Sequence, residues 1–178
     1  MHAFPVKKFI FEHIYIFAFM PTENYSLAAI QKKLEHFCAY QERCHDEVIQ
    51  KMRNIGIDMA SIDAIVVHLI QHNFLNEERF ACAFARGKHR IKHWGKIRIV
   101  NELKFRNISS YNITTALKEI TTEEYSATFH ALAERHWESL KAPNTLAKRK
   151  KFCDFLLRKG FESGLVYEKT KELESEQN

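Results

Sequence analysis

Nine basic side chains crowd the middle of this chain. Between Arg79 and Arg106 stand Arg79, Arg86, Lys88, Arg90, Lys92, Lys96, Arg98, Lys104 and Arg106, with Glu102 the one acid among them. The stretch is therefore more positive than the whole chain, whose net charge is +5, and the remainder is net acidic. Phe80, Phe84, Ile91, Trp94, Ile97, Val100, Leu103 and Phe105 are interleaved with the cations. A basic, partly aromatic surface of this kind neutralises an anionic partner, whether phosphate or carboxylate. A solvated helical face over an ordinary core is the plainer reading. It is disfavoured because so dense a run of one sign is costly without a counter-charge.

Other chemistries find no support in the residues. All five glycines (Gly56, Gly87, Gly95, Gly160, Gly164) are isolated, which excludes a dinucleotide fingerprint and a phosphate-binding P-loop. His68 and His72, like His89 and His93, are four apart, a spacing that can bind metal on a helix. Neither pair has an acid or thiol at ligand spacing, so they read as polar helix residues beside a core. His36, Cys38, Cys44 and His45 surround one turn, but not at zinc-finger spacing. The four cysteines (Cys38, Cys44, Cys82, Cys153) form no CxxC pair, which points to reduced thiols in a cytoplasmic protein. No nucleophile, base and orienting group can be assembled from spacing. The expectation is a protein without enzymatic activity, metal or cofactor.

The elements that position the basic stretch are helices. Only three prolines occur (Pro5, Pro21, Pro143), hairpin turn pairs are missing, and apolar residues recur at helical spacing. Leu27, Ile30, Leu34 and Phe37 form one such run; Val48, Met52 and Ile55 form another; Ile62, Ile65 and Leu69 form a third. The pattern then repeats. An offset of 51 residues, then 53, aligns Gly56 with Asn107 and Gly160. In the same register Val48 meets Ile99 and Phe152, and Met52 meets Leu103 and Leu156. Ile57 meets Ile108 and Phe161; Ile62 meets Ile113 and Val166; Leu69 meets Ile120 and Leu173. Each column stays apolar, as the core face of a repeated unit must. Gly, Asn and Gly share the anchoring column because these residues best tolerate the left-handed conformation that closes a helix. One column breaks: Val66 and Leu117 meet Thr170.

The fold class expected is all-α, three tandem three-helix repeats in an elongated, curved array. Helices are predicted over 26–39, 45–55 and 59–73, over 77–92, 95–106 and 110–120, and over 122–140, 145–159 and 162–174. Asp58, Asn76 and Ser109 supply N-caps, and Thr121 with Glu124 a capping box. Cys44 and Gly95 share the position that starts a second helix, where a small residue is wanted. The repeats divide as 23–73, 74–120 and 121–178, after an N-terminal extension at 1–22, and the acidic tail after Glu168 should fray. A three-helix unit buries too little surface to be robust alone, so the units should stack. The apolar run Phe9 to Met20 is too short to span a bilayer and contains Glu12 and His13. Pro21 to Asn24 makes a poor signal cleavage site. Met20 is the expected start, with 1–19 an over-translation or loose extension.

One set of residues stands out in the middle unit: Leu75-Asn76-Glu77-Glu78-Arg79-Phe80-Ala81, then Phe84, Arg86 and Lys88, Trp94-Gly95-Lys96, and Ile99 through Glu102-Leu103. By these residues the unit resembles the RecX family of bacterial regulators of the RecA recombinase. The likeness runs from about Leu27 to Leu173, with Glu77 where an Asp is common, Cys44 where a Ser is common, and Asn107-Ile108 for a Gly-led step. The resemblance implies a monomeric, non-enzymatic protein in the groove of a RecA filament on DNA, modulating strand exchange, ATP hydrolysis and coprotease activity. RecA protein, and the DNA phosphates within the filament, would be its partners. The family carries no short catalytic signature across, so the nine cations named above are the contact residues expected on physical grounds. Arg79 stands apart: it serves either this face or a structural pair with Glu77, Glu78 or a neighbouring module. Trp94 reads as packing between modules, with a base-stacking platform as the alternative. The competing function is a non-specific nucleic-acid-binding helical protein with no recombinase partner.

Overall fold

The computed structural model describes residues 26–141 and 145–176. The N-terminal extension, and with it the choice of Met20 as the start, lies outside the described residues. Among the described residues the chain forms nine helices and no strand. They are α1 (Leu27–Tyr40), α2 (His45–Asn54), α3 (Met59–Gln71), α4 (Glu77–Lys92), α5 (Lys96–Phe105), α6 (Ser110–Leu117), α7 (Thr122–Ser139), α8 (Thr145–Lys159) and α9 (Ser163–Ser175). The helix–helix contacts of any extent fall within the successive triplets α1–α3, α4–α6 and α7–α9, the fold of a three-helix repeat array.

The repeated columns are the cores of these triplets. Val48, Ile99 and Phe152 are fully buried on α2, α5 and α8, and Met52, Leu103 and Leu156 lie one turn further along, equally buried. Full burial of such a side chain is worth about 1.5–3 kcal/mol, so these pairs anchor each second helix. Each second helix then ends the same way. Gly56, Asn107 and Gly160 adopt φ of +78°, +57° and +90°. The next N–H reaches back to the carbonyl five residues earlier: Ile57 to Met52 at 3.2 Å, Ile108 to Leu103 at 3.1 Å, Phe161 to Leu156 at 3.2 Å. This is the closure that left-handed residues permit, used three times.

Helix starts follow the capping residues. Asp58, Asn76, Ser109 and Thr121 accept from Ser61, Arg79, Asn112 and Glu124 N–H groups, and Ser26 accepts from Ala29. Cys44 and Gly95 are the N-cap residues of α2 and α5 without a side-chain cap bond, and both are buried. The capping box at Thr121 forms only half. Glu124 donates its N–H to Thr121 Oγ1 at 3.1 Å, but its carboxylate binds Arg90 instead of turning back. The broken column has a local solution. Thr170 is fully buried and its hydroxyl donates to the Val166 carbonyl at 2.7 Å, so no hydrogen bond is lost in the core.

The two junctions between triplets differ. The α1–α3 triplet has its own apolar cluster, joined by Leu75. It meets the next triplet mainly through polar contacts: Arg79 Nε to Glu42 at 2.5 Å, the His45 ring to Glu77 at 2.6 Å, and Asn107 Nδ2 to Asp46 at 2.6 Å. The second and third triplets share one continuous cluster that Cys44 also enters. There the start of α5 presses on the end of α8. Gly95 N–H donates to the Lys159 carbonyl at 2.8 Å, and Ile97 N–H to the Gly160 carbonyl at 3.1 Å. A Cβ on Gly95 would lie 2.1 Å from the Gly160 oxygen, so glycine is required for this approach.

Candidate interface on the central repeat

Helix α4 organises the basic surface. Ala81 and Ala85, both fully buried, give it a small-residue face on which α6 packs through Ala116. Phe80 and His89 continue the buried side, and the His89 ring donates from Nδ1 to the Trp94 carbonyl at 2.9 Å while stacking on Tyr125. That bond ties the end of α4 to the turn before α5. The cations of the stretch are thereby distributed around α4 and α5, and they do not form one face.

Four of the nine are held in ion pairs. Arg79 is the strut to the first triplet: besides Glu42 it donates to the Asn73 side chain at 2.9 Å and to the Asn73 and Phe74 carbonyls. Its partner is thus in the neighbouring module. Arg86 reaches Glu119 at 2.5 Å and Arg90 reaches Glu124 at 2.7 Å, both on the side facing α6 and α7. The Arg90 hydrogen bond holds the Glu124 carboxyl below its ordinary range. Arg106 turns back along its own helix to Glu102 at 2.8 Å, so the stretch's one acid is internally neutralised.

The other five carry no carboxylate partner among the described residues. Lys88 spans two rings, its Nζ 5.1 Å from both the Phe84 and the Trp94 centroids. Arg98 lies over the same indole at 4.0 Å, and its Nη1 donates to the Arg158 carbonyl at 3.2 Å. Trp94 also meets Phe84 edge-on at 6.3 Å, so it packs within the repeat and carries two cations near its ring. Lys92 is exposed, and its carbonyl accepts from Lys159 Nζ at 2.9 Å. Burial and the nearby Arg98 and Arg135 push the Lys159 ammonium below its usual range. Lys96 lies over Tyr125 at 4.6 Å, beside the junction with α7, and Lys104 is exposed on α5. Lys88, Lys92, Arg98 and Lys159 therefore gather where α4, α5 and α8 meet, on the other side of α4 from the paired Arg86 and Arg90. The His68 and His72 pair finds partners of its own: His68 Nε2 bonds Glu35 at 2.7 Å and the His72 ring bonds the His68 carbonyl at 2.9 Å.

Sequence reasoning passed over Arg43, Arg158 and Lys159, and took Phe37 only as part of an apolar helical run. Arg43 stacks over Phe37 at 4.1 Å, one repeat before the Trp94 and Lys88 pair at the same offset of 51 residues but with ring and cation exchanged. Lys159 lies 5.5 Å from the Phe155 ring. The repeat alignment held the signal for the first, since Arg43 aligns with Trp94 and Phe37 with Lys88.

Residues 76–117 match the family model described as the second three-helix domain of RecX, and residues 123–169 match the third; together they cover half of the chain. The chain is 25% identical over 142 residues to the regulatory protein RecX of Bacillus cytotoxicus, covering 80% of this chain and 53% of that protein. Against the regulatory protein RecX of Oceanobacillus iheyensis it is 24% identical over 131 residues, covering 74% and 48%. It thus spans about half the length of the curated relatives it matches. The crystal structure of RecX from Lactobacillus salivarius shares the fold at a TM-score of 0.69 and 23% identity, covering 83% of this chain and 96% of that one. A second crystal structure of a regulatory protein RecX gives 0.68 at 22% identity, covering 90% and 85%. With α4–α6 and α7–α9 falling on two successive domain models, this chain belongs to the RecX family.

Proposed function

We propose that this chain is a non-enzymatic regulator in the cytoplasm that binds the RecA filament on DNA and modulates its recombinase, ATPase and coprotease activities. Membership of the RecX family supports RecA as the partner, as the resemblance implies. The observation that carries the reading is the separation of the cations: once Arg79, Arg86, Arg90 and Arg106 are spent on Glu42, Glu119, Glu124 and Glu102, Lys88, Lys92, Lys96, Arg98 and Lys104 stay available to an anionic surface. Holding Lys88 and Arg98 against the Trp94 ring orders these long side chains, which lowers the entropy cost of binding. No helix among the described residues is long and apolar enough to cross a membrane.

The test is RecA's DNA-dependent ATPase, titrated with this protein at two salt concentrations. Inhibition well below the RecA concentration, persisting at moderate salt, supports a filament-binding regulator. Inhibition that needs enough protein to coat the DNA and disappears with salt supports the plain nucleic-acid binder, because phosphate contacts lose affinity steeply with salt.

A further inference from the structure

On α5, Ile97, Asn101 and Phe105 follow at intervals of four and face outward. Phe105 is 84% exposed and Ile97 is 46% exposed, an unusual display of apolar surface on one short helix. Across from them the end of α8 contributes Leu157, 36% exposed, and a groove that Gly160 also lines runs between the two helices. Its rim is basic. Arg98 and Arg158 line it, and neither has a carboxylate partner among the described residues. The acid that borders it, Glu102, is already neutralised by Arg106 at 2.8 Å.

We infer that this α5–α8 groove docks an acidic amphipathic peptide segment of a protein partner, with apolar side chains seated against Ile97, Phe105 and Leu157 and carboxylates on Arg98 and Arg158. Charge complementarity sets the sign of the occupant, since the groove presents two cations and no free acid. The apolar lining sets its class. Ile97 and Leu157 are aliphatic and Phe105 is the groove's one aromatic ring, a lining that suits aliphatic anchors. A single-stranded nucleic acid would want successive rings to stack on. From Ile97 to Phe105 the helix rises about 12 Å, the length of two turns of a docked helix bearing anchors at i, i+4 and i+7. The groove shares Arg98 with the cation cluster but is otherwise separate from it, and the inference does not require RecA to be the partner.

The experiment measures fluorescence anisotropy of a labelled 14-residue peptide, rich in Glu with Leu at i, i+4 and i+7, against the full chain. A composition-matched scrambled peptide and a labelled oligothymidylate serve as the other probes. Saturable binding of the patterned peptide is expected, weakened at least tenfold by Phe105→Ser and by Arg158→Glu and unchanged by Tyr111→Ser on α6. Phe105 is so exposed that its replacement leaves the fold intact, which far-ultraviolet circular dichroism checks. Equal binding of the scrambled peptide overturns the inference, as does patterned-peptide binding indifferent to Phe105. Phe105-dependent binding of the oligothymidylate in place of the peptide overturns it in favour of nucleic acid. Because the probes contain no RecA, failure here leaves the ATPase result untouched.

Discussion

The contact between Gly95 and Gly160 makes the sharpest prediction. In Gly95→Ala the new Cβ would stand 2.1 Å from the Gly160 oxygen, 2.3 Å from its carbonyl carbon and 2.4 Å from Phe161 N. All three are backbone atoms, so no side chain can swing aside and α5 must draw away from α8. Overpacking of this kind costs about 1–3 kcal/mol. The same movement breaks the bonds from Gly95 N–H to Lys159 and from Ile97 N–H to Gly160, at about 1 kcal/mol each. The total is roughly 3–5 kcal/mol. For a chain of this size that lowers the thermal midpoint by roughly 6–20 °C. Gly160→Ala should be at least as damaging, because its Cβ would lie 2.3 Å from the Arg98 Cβ at a φ of +90°. Two further glycines separate sterics from backbone conformation. Gly56 has a φ of +78° with open space around it, so its replacement carries only the left-handed cost of about 1–2 kcal/mol. Gly87 lies mid-helix with open space, so Ala there should stabilise by about 0.5–1 kcal/mol. Urea denaturation followed by tryptophan fluorescence is the assay, since Trp94 and Trp137 both belong to the cluster that spans the second and third triplets. If Gly95→Ala costs no more than Gly56→Ala, the close backbone junction is wrong.

Other consequences can be checked alongside. The first triplet has a separate core and mainly polar bridges to its neighbour, so circular dichroism should show helix lost before the tryptophan signal moves, whereas coincident transitions would argue for one cooperative unit. A double-mutant cycle on Arg79 and Glu42 should give a coupling of about 0.5–1 kcal/mol that shrinks with added salt; zero coupling at low salt would remove Arg79 as a strut. Burial lowers the affinity of His136 for a proton while its ring stacks on Phe155 at 3.8 Å. The unfolded imidazole therefore protonates at higher pH than the folded one, so this contribution is complete above the ordinary imidazole range and is lost as pH falls through it. The urea midpoint should drop between about pH 7.5 and about pH 5.5, and His136→Gln should reduce that drop; an unchanged slope in the variant would acquit His136.

Periodicity carried the helices because each buries one stripe. Val48 and Met52, Ile99 and Leu103, Phe152 and Leu156 recur at spacing four, and the left-handed residues that follow them mark where each helix must stop. The partners of the cations were not legible. Glu42, Glu119 and Glu124 lie 37, 33 and 34 residues from Arg79, Arg86 and Arg90, and only the folded arrangement of the helices brings them together. The same non-local pairing undid half of the capping box, since Glu124 gains more from a guanidinium than from its own helix start. Phe105 illustrates the other blind spot. The sequence shows it only as one of the apolar residues interleaved with the cations; it stands two positions from the fully buried Leu103, about 200° around the helix, and so points outward. The cationic stretch was visible as charge; its division into struts and open cations was not.

The proposed function has this chain recognise the RecA filament and not DNA alone. Co-sedimentation with RecA filaments formed on single-stranded DNA, set beside naked DNA at moderate salt, tests it directly. Saturable pelleting with filaments is expected, little with naked DNA, and loss of filament binding when Lys88, Lys92 and Lys104 are together changed to Ala, while Arg86→Ala retains it. Equal pelleting with naked DNA, or a triple variant that binds filaments like the unaltered protein, would contradict it.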